Sequence, residues 1–508
     1  MFTTSTVFDV NRIRQRICTL EINNIQEMIF CLHFGRGTRS LLQQRTIKMF
    51  NGNSRHWRNQ EQALQGQEAR EKAGAAGKGE IFSWAMFDFA NSSYTTVIIT
   101  AVFSAFFVEY IVPAESTSRD SYWSYAIASS TILALLLSPL AGAICDLSGK
   151  KKKYLAYSTV ICSIATAGLF FVGQGDIWPA IFLITISNAA FMLSETFCGS
   201  FLTDIATKEN MGLVSGIGWG LGYFGGLASL ALVMFILGDT TGAEGATIIS
   251  RHQTAMVATG LFFLVAALPT LLFVKNRTPP AKGFESASPI DLLKAGVGRF
   301  KHTVQTAREH KTLFRFLMAF MVYMAGLDAV VKFVGIYARK ELNFEMADIT
   351  KMFLILQLSA AAGAVGFGYL ESKLGAKKTV LATLVWWICG ILAIYFIDNI
   401  SAATSVDRKA LFFGISLIAG SGIGATQSSS RAVVGMLAPA NHSAEMFGFW
   451  GFFSRLGTLL GVGFGFLSDA TSRQTALLLV VAFFVVGAFM LAPLNIDEEA
   501  AKNVGKGE

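Results

Sequence analysis

From residue 81 onward the chain is built of apolar stretches, each about as long as a bilayer is thick. A hydrocarbon core about 30 Å across needs about 20 apolar residues in helical form. Inside it, only helices and closed barrels satisfy every backbone polar group. Twelve runs meet the length, near residues 84–112, 122–145, 153–174, 177–201, 211–237, 254–275, 313–338, 349–371, 378–398, 409–435, 443–468 and 474–494. The longest interruption, 276–312, follows the sixth run and splits the series into two nearly equal halves. The expected fold is therefore an all-α membrane protein, about twelve transmembrane helices in two six-helix pseudo-symmetric bundles, a layout common among secondary transporters.

Composition agrees. Of 508 residues, 53% are hydrophobic and only 15% charged, against about 25% charged in soluble domains. The 43 Phe and 48 Gly suit lipid-facing and helix-packing surfaces. The formal net charge of +8 is read as basic loops on one side of a membrane and not as a nucleic-acid surface. Loops after even-numbered runs carry Lys150 to Lys153, Lys208, Lys275, Arg277, Lys282, Lys294, Arg299, Lys301, Arg308, Lys311, Lys373, Lys377 and Lys378. The opposite loops hold only Arg119, Arg251, Arg339, Lys340, Lys351, Arg408, Lys409 and Arg473. The bias places the even loops and both termini in the cytoplasm, with the chain in a bacterial inner membrane or, in a eukaryote, an organelle membrane. The expected units are a cytoplasmic tail 1–80, a bundle 81–275, a central loop 276–312, a bundle 313–494 and a second tail 495–508. Residues 1–80, Arg- and Gln-rich, read as solvated chain, and Met49 is an alternative start. The six Cys are scattered and read as small buried hydrophobes.

Within the central loop, "SPIDLLKAGVGRF" offers Ser288 as an N-cap and Pro289 as the first helical residue. Ile290, Leu293, Val297 and Phe300 then recur at helical spacing, so a helix lying on the membrane surface is expected. Between runs two and three stands "GAICDLSGKKKK". Its Gly142 permits close approach of a neighbouring helix, its Asp146 sits at a helix end where it can pair with a basic group, and its Gly149 permits a tight turn. Leu147 beside Asp146 carries no charge, so the basic partner is missing or supplied by Lys150. A worn copy, "GYLESKLGAKK", follows run eight, keeping Gly368, Lys373, Gly375 and Lys377 but placing Ser372 where the acid was. Run five carries two glycine rows, Gly212, Gly216, Gly220 and Gly218, Gly222, Gly226, which read as helix-packing surfaces.

Polar residues inside apolar runs mark a pathway, because charge in hydrocarbon is expensive and turns toward a cavity or a partner. The candidate substrate-binding set is Asp88, Asn91, Asn188, Asp328, Lys332, Gln357, Gln427 and Arg455. Arg455, deep in run eleven, is the candidate for an anionic substrate group. Asp88, Glu195 and Asp328 are the candidate proton-coupling acids. Gly142, Asp146, Gly149, Lys150 and Arg431 are the candidate gating residues, with Arg431 read as a gate or as snorkelling to the interface. In "WAMFDFANSSYTT", Asp88, Asn91, Ser92 and Thr95 share one helix face, with Trp84 expected as an interfacial anchor. No nucleophile, metal or nucleotide constellation is present, so no enzyme activity, cofactor or metal is expected.

"GAICDLSGKKKK" resembles the loop pattern of major facilitator transporters. "WAMFDFANSSY", "DIATKENMGLVSGIGWGLGYFGG" and "GATQSSSR" with "EMFGFWGFFSRLG" resemble the vacuole-effluxer branch of that superfamily, across residues 81–494. The resemblance implies twelve helices with alternating access, and offers amino acids as a substrate class. The expected function is secondary active transport of small polar solutes, by a monomer in a lipid bilayer. The alternative is a non-transporting receptor or scaffold on a transporter fold.

Overall fold

The computed structural model describes residues 76–505, apart from 114, 117, 240–243, 306–309, 440–441 and 462. The N-terminal tail up to residue 75, Arg308, Cys18 and Cys31 therefore lie outside the described residues. The transmembrane helices are α1 (Lys78–Ile111), α2 (Arg119–Ser148), α3 (Lys151–Phe171), α4 (Ile177–Ser200), α5 (Met211–Leu237), α6 (Gly245–Phe273), α7 (Lys311–Glu341), α8 (Met346–Leu374), α9 (Ala376–Tyr395), α10 (Arg408–Leu437), α11 (Ser443–Gly461, resuming as Gly463–Ala470) and α12 (Arg473–Leu491). Eleven of them are long and apolar enough to cross a membrane by length and composition alone. The twelfth is α11, whose Glu445 and Arg455 lower its apolar content. It crosses all the same, because α10 ends where α11 begins and α12 must start on the other side.

Every expected run is a helix, and α1 begins earlier than expected, at Lys78. Along α1 the residues Tyr94–Ala101 are wound as π-helix. The β-branched run there crowds the backbone, and Thr100 Oγ1 donates to Thr95 O at 2.8 Å, bridging the widened turn.

Helices α1 to α6 pack with one another, as do α7 to α12, giving two six-helix bundles. Two contacts between the bundles stand out, α2 with α11 and α5 with α8. Each is the other displaced by six helices, which is the internal repeat expressed as packing. Glycine makes both possible. A Cβ on Gly142 (α2) would lie 2.2 Å from Ala444 O (α11), and one on Gly448 (α11) 2.5 Å from Ser138 O (α2). On the other side of the repeat, a Cβ on Gly216 (α5) would lie 2.3 Å from Ala364 O, and one on Gly368 (α8) 2.6 Å from Gly212 O. The glycine rows of α5 thus serve different neighbours. Gly212, Gly216 and Gly220 meet α8, whereas Gly218, Gly222 and Gly226 meet the polar face of α1.

The loop helix (Pro289–Gln305) forms as expected, with Ser288 Oγ accepting from the Asp291 N–H. Its buried face differs from the expected one. Leu292, Gly296 and Thr303 are buried, while Ile290 and Leu293 are 65% and 49% exposed. The reason is contact with protein: Gly296 presses on Ile144 of α2, and Phe300 stacks on Phe449 of α11 at 5.8 Å. Of the described cysteines, Cys145, Cys162 and Cys198 are buried as expected and Cys389 is exposed.

Close backbone approach inside the first bundle is strictest at Gly225, where a Cβ would fall 2.0 Å from Phe89 O. Gly225→Ala must push α1 and α5 apart at a cost of about 1–3 kcal/mol. The expected outcome is a thermal unfolding midpoint several degrees lower in detergent, read by intrinsic fluorescence, while Gly390→Ala, which meets nothing within 4 Å, leaves the midpoint unchanged.

Candidate functional site: a polar path between the bundles

Asp88 of α1 and Arg431 of α10 meet across the two bundles. Arg431 Nη1 lies 2.8 Å from Asp88 Oδ2, and both side chains are nearly excluded from solvent, at 5% and 11% exposure. The guanidinium also donates to Ser215 Oγ at 3.0 Å and to Ser215 O at 2.8 Å, on α5. Ser215 Oγ in turn donates to Ser428 O of α10. Two indoles flank the cation, Trp84 at 4.8 Å and Trp219 at 5.5 Å from Arg431 Cζ to the ring centroid. Such faces stabilise a desolvated cation by up to about 2 kcal/mol. Gly218 leaves room for the pair, since its Cβ would sit 2.3 Å from Asp88 Oδ2. Arg431 therefore does not snorkel; its charge is neutralised inside the protein. Trp84 is no interfacial anchor either. It is fully buried, with Nε1 donating to Cys198 O of α4 at 2.9 Å. The polar face of α1 covers less open space than its spacing suggested, because Asp88, Ser92 and Thr96 meet Gly218, Gly222 and Gly226 of α5. Asn91 is buried on the same helix.

Farther along the same seam, Arg455 of α11 faces α4. Its Nη1 donates to Gly451 O at 2.6 Å, its Nε points at Met192 Sδ at 3.1 Å, and its Nη2 lies 3.9 Å from Glu195 Oε2. Glu195 keeps 30% of its side chain exposed. On α7, Lys332 Nζ holds Asp328 Oδ2 at 2.7 Å, and Thr458 Oγ1 of α11 donates to Asp328 Oδ1 at 3.4 Å. Lys332 is 48% exposed. Gln427 of α10 accepts from the Tyr223 hydroxyl of α5 at 3.1 Å, a further link between bundles. Gln357 of α8 is half-buried, with Nε2 3.5 Å from where a Gly226 Cβ would stand. Asn188 is the exception. It donates to Ser130 Oγ at 2.8 Å within the first bundle and is 2% exposed, so it braces α4 against α2 and does not line the path.

The side bearing the loops after even-numbered helices, here the basic face, is where the seam is tightest. Asp146 accepts from the backbone N–H of Ala444 at 3.1 Å and of Glu445 at 2.8 Å. It thus caps the N-terminus of α11 from across the seam, supplying two otherwise orphaned donors with an acceptor. Gly149 takes φ +63, and its turn presses on Pro280 of the central loop. Lys150 is exposed and does not pair with Asp146. The next residue, Lys151, is the buried one, bonded to Asp204 at 2.8 Å and Ser200 O at 3.2 Å. A Lys must leave the turn to reach an acid, and only position 151 is turned inward.

Glu445 joins the central loop to the seam, because Arg299 Nε donates to its Oε2 at 3.0 Å. His442 Nδ1 lies 3.2 Å from the same oxygen. Burial, aided by the charge on Arg299, pushes His442 down to about 4, and an ionised Glu445 carboxylate can only accept from its ring. In the worn copy, the Ser372 hydroxyl bonds only its own helix among the described residues, at Tyr369 O. The acid there is one residue earlier. Glu371 is 3% exposed and its carboxylate lies over Gly212, 2.4 Å from where a Cβ would be. Neither of its oxygens has a hydrogen-bond partner among the described residues. The shifted spacing hid it from the motif.

Residues 76–504 match the family described as vacuole effluxer Atg22 like. The chain belongs to that family. It is 26% identical over 433 residues to an uncharacterized MFS-type transporter YxiO of Bacillus subtilis, covering 84% of this chain and 96% of that one. It is 21% identical over 324 residues to autophagy-related protein 22-1 of Neosartorya fischeri, covering 59% of this chain and 51% of that one. Among solved structures, the proton:xylose symporter XylE has TM-score 0.62 at 14% identity, covering 82% of this chain and 95% of that one. A bacterial homologue of ferroportin in an outward-facing state has TM-score 0.60 at 12% identity, covering 82% and 98%. At such identities the structures establish the major facilitator fold. This Atg22-like chain is a membrane transporter by family and fold, and not an enzyme.

Removing one partner from a buried pair leaves the other uncompensated, at about 3–5 kcal/mol. Asp88→Asn is expected to destabilise the protein on that scale, and Asp88→Asn with Arg431→Gln to recover most of the loss. The check is a double-mutant cycle on thermal unfolding in detergent; additive losses would separate the two residues energetically.

Proposed function

We propose that this protein is a secondary active transporter of small polar solutes, working by alternating access between its two bundles. The observation that carries the reading is the set of charged groups contributed by both bundles at mid-helix depth, above a seam closed on the basic face. Arg455 and Glu195 form one side, Asp328 and Lys332 another, and Gln357, Gln427 and Asn91 complete the polar lining. A cation on α11 beside acids on α4 and α7 suits a zwitterion, with a carboxylate drawing Arg455 from Glu195 and an ammonium pairing with Glu195 or replacing Lys332 on Asp328. An α-amino acid is the simplest solute of that kind, and it is the substrate class that the sequence resemblance offers.

In this reading the basic face is cytoplasmic, as the Lys and Arg bias requires. Units 81–275 and 313–494 rock about the site, joined by 276–312. Gly142, Asp146 and Gly149 form the cytoplasmic gate together with the Asp88–Arg431 pair. Inward opening must then free the α11 N-terminus from Asp146 and hydrate both charges of the pair. Glu195 and Asp328, the partly exposed acids, serve as proton carriers if transport is proton-coupled, with Asp88 engaged by Arg431 until the gate opens. The unit of function is the monomer, since all these groups belong to one chain.

Purified protein in liposomes preloaded with unlabelled amino acids should accumulate labelled amino acid by counterflow. Arg455→Ala should reduce that flux at least a hundredfold, and Arg455→Lys should restore part of it with a raised KM. Flux that is the same in protein-free liposomes over a broad panel of amino acids, sugars and nucleosides would overturn the reading.

A further inference from the structure

The first two turns of α7 and the end of α12 leave a groove of about 870 Å³ on the outside of the second bundle, at the basic face. Its walls are apolar: Phe314 and Met318 on α7, with Met490, Pro493 and Leu494 following α12. Two cations, Lys311 and Arg315, line the same groove from successive turns of α7. Both are exposed, and neither side chain makes an ion pair among the described residues. The groove lies away from the polar path, so nothing in the transport reading uses it.

Each half of the site asks for a different chemistry. A groove of this apolar lining that opens sideways from a transmembrane bundle is filled by hydrocarbon, not water. Lys and Arg one turn apart at its mouth suit an anion with several acceptor oxygens, and Arg in particular favours phosphate. One molecule joins the two, an anionic phospholipid of the leaflet at the basic face, and basic pockets between transmembrane helices on that side are where such headgroups bind. We propose that this groove is a binding site for one anionic phospholipid, with its acyl chains along Phe314, Met318 and Met490 and its phosphate between Lys311 and Arg315. The inference is independent of the transported solute.

Native mass spectrometry of the full-length protein, released from detergent with added phosphatidylglycerol or phosphatidylcholine of the same acyl chains, tests it. The wild-type protein should retain one phosphatidylglycerol in preference to phosphatidylcholine. Lys311→Gln with Arg315→Gln should lower that preference about 25-fold, because each basic residue near an anionic surface contributes a factor of about five. Met318→Trp, which fills the groove and keeps both charges, should lower retention of either lipid, and inorganic phosphate should not compete. Equal retention of the two lipids by wild-type protein, or an unchanged preference in the doubly neutral variant, would overturn the proposal. So would undiminished lipid retention in Met318→Trp, which would reduce the site to surface charge.

Discussion

A guanidinium inside a membrane protein has to be satisfied by the protein itself, and in this chain the structure is arranged around one such group. Arg431 is matched by a carboxylate from α1, a backbone carbonyl and a hydroxyl from α5, and the faces of two indoles. Lacking any one of these, it would bear part of the several-kcal/mol cost of burying charge. The requirement reaches outward. Gly218 has to lack a side chain, Trp84 has to be held in place by Cys198 O, and Ser215 is fixed by Ser428. Since Arg431 belongs to the second bundle and its partners to the first, the bundles cannot part at this level until water replaces what each supplies to the other. In the proposed cycle, desolvation makes the pair a lock and hydration would open it.

The remainder of the seam depends on backbone proximity. The contacts of α2 with α11 and of α5 with α8 are equivalent in shape, with glycines placed where a carbonyl of the opposite helix passes. They are not equivalent in chemistry. Asp146 reaches two backbone N–H groups of α11, whereas the Glu371 carboxylate lies against α5 with no hydrogen bond to it among the described residues. One half of the repeat is fastened by directed bonds and the other mainly by fit. For the proposed alternating access, two equally strong clasps would hold one state too deeply, while one firm and one loose clasp would leave the interface within reach of a bound solute.

The twelve runs, the basic bias and the glycine rows were legible in the sequence because each is a local property: length, composition or helical spacing. Spacing assigned Gly218, Gly222 and Gly226 to one face, and the structure supplied the neighbour, α1. What spacing cannot supply is the partner across the fold. Asp88 and Arg431 were each visible as a buried charge, but their pairing depends on how two distant helices cross. Trp84 at a helix start looks like an interfacial anchor unless Cys198 is known to face it. Asn188 looks like a lining residue until Ser130 is found within reach. The loop helix shows the same limit, since a membrane and a protein surface both ask for an apolar face, and only contact with Ile144 and Phe449 selects Leu292 and Gly296 over Ile290 and Leu293.

One helix joins the gate to the site. The first turn of α11 is held by Asp146 from α2 and by Arg299 from the loop helix, through Glu445. The same unbroken helix carries Arg455 ten residues further on, about 15 Å away at 1.5 Å per residue. A helix of that length transmits displacement as a rod. When its capped end is freed and swings, Arg455 must move relative to Glu195 and Met192 of α4, which stay with the other bundle. Conversely, an anion bound between Arg455 and the first bundle pulls the rod in one direction and biases the gate. Gly451 leaves room for the Arg455 guanidinium, which lies 2.6 Å from where a Cβ would stand, and Gly457 brings α11 close to α7, where a Cβ would fall 2.6 Å from Met321 O. In the proposed cycle, coupling between solute and gate would therefore require no long chain of side-chain contacts, because the backbone of α11 would be the connection.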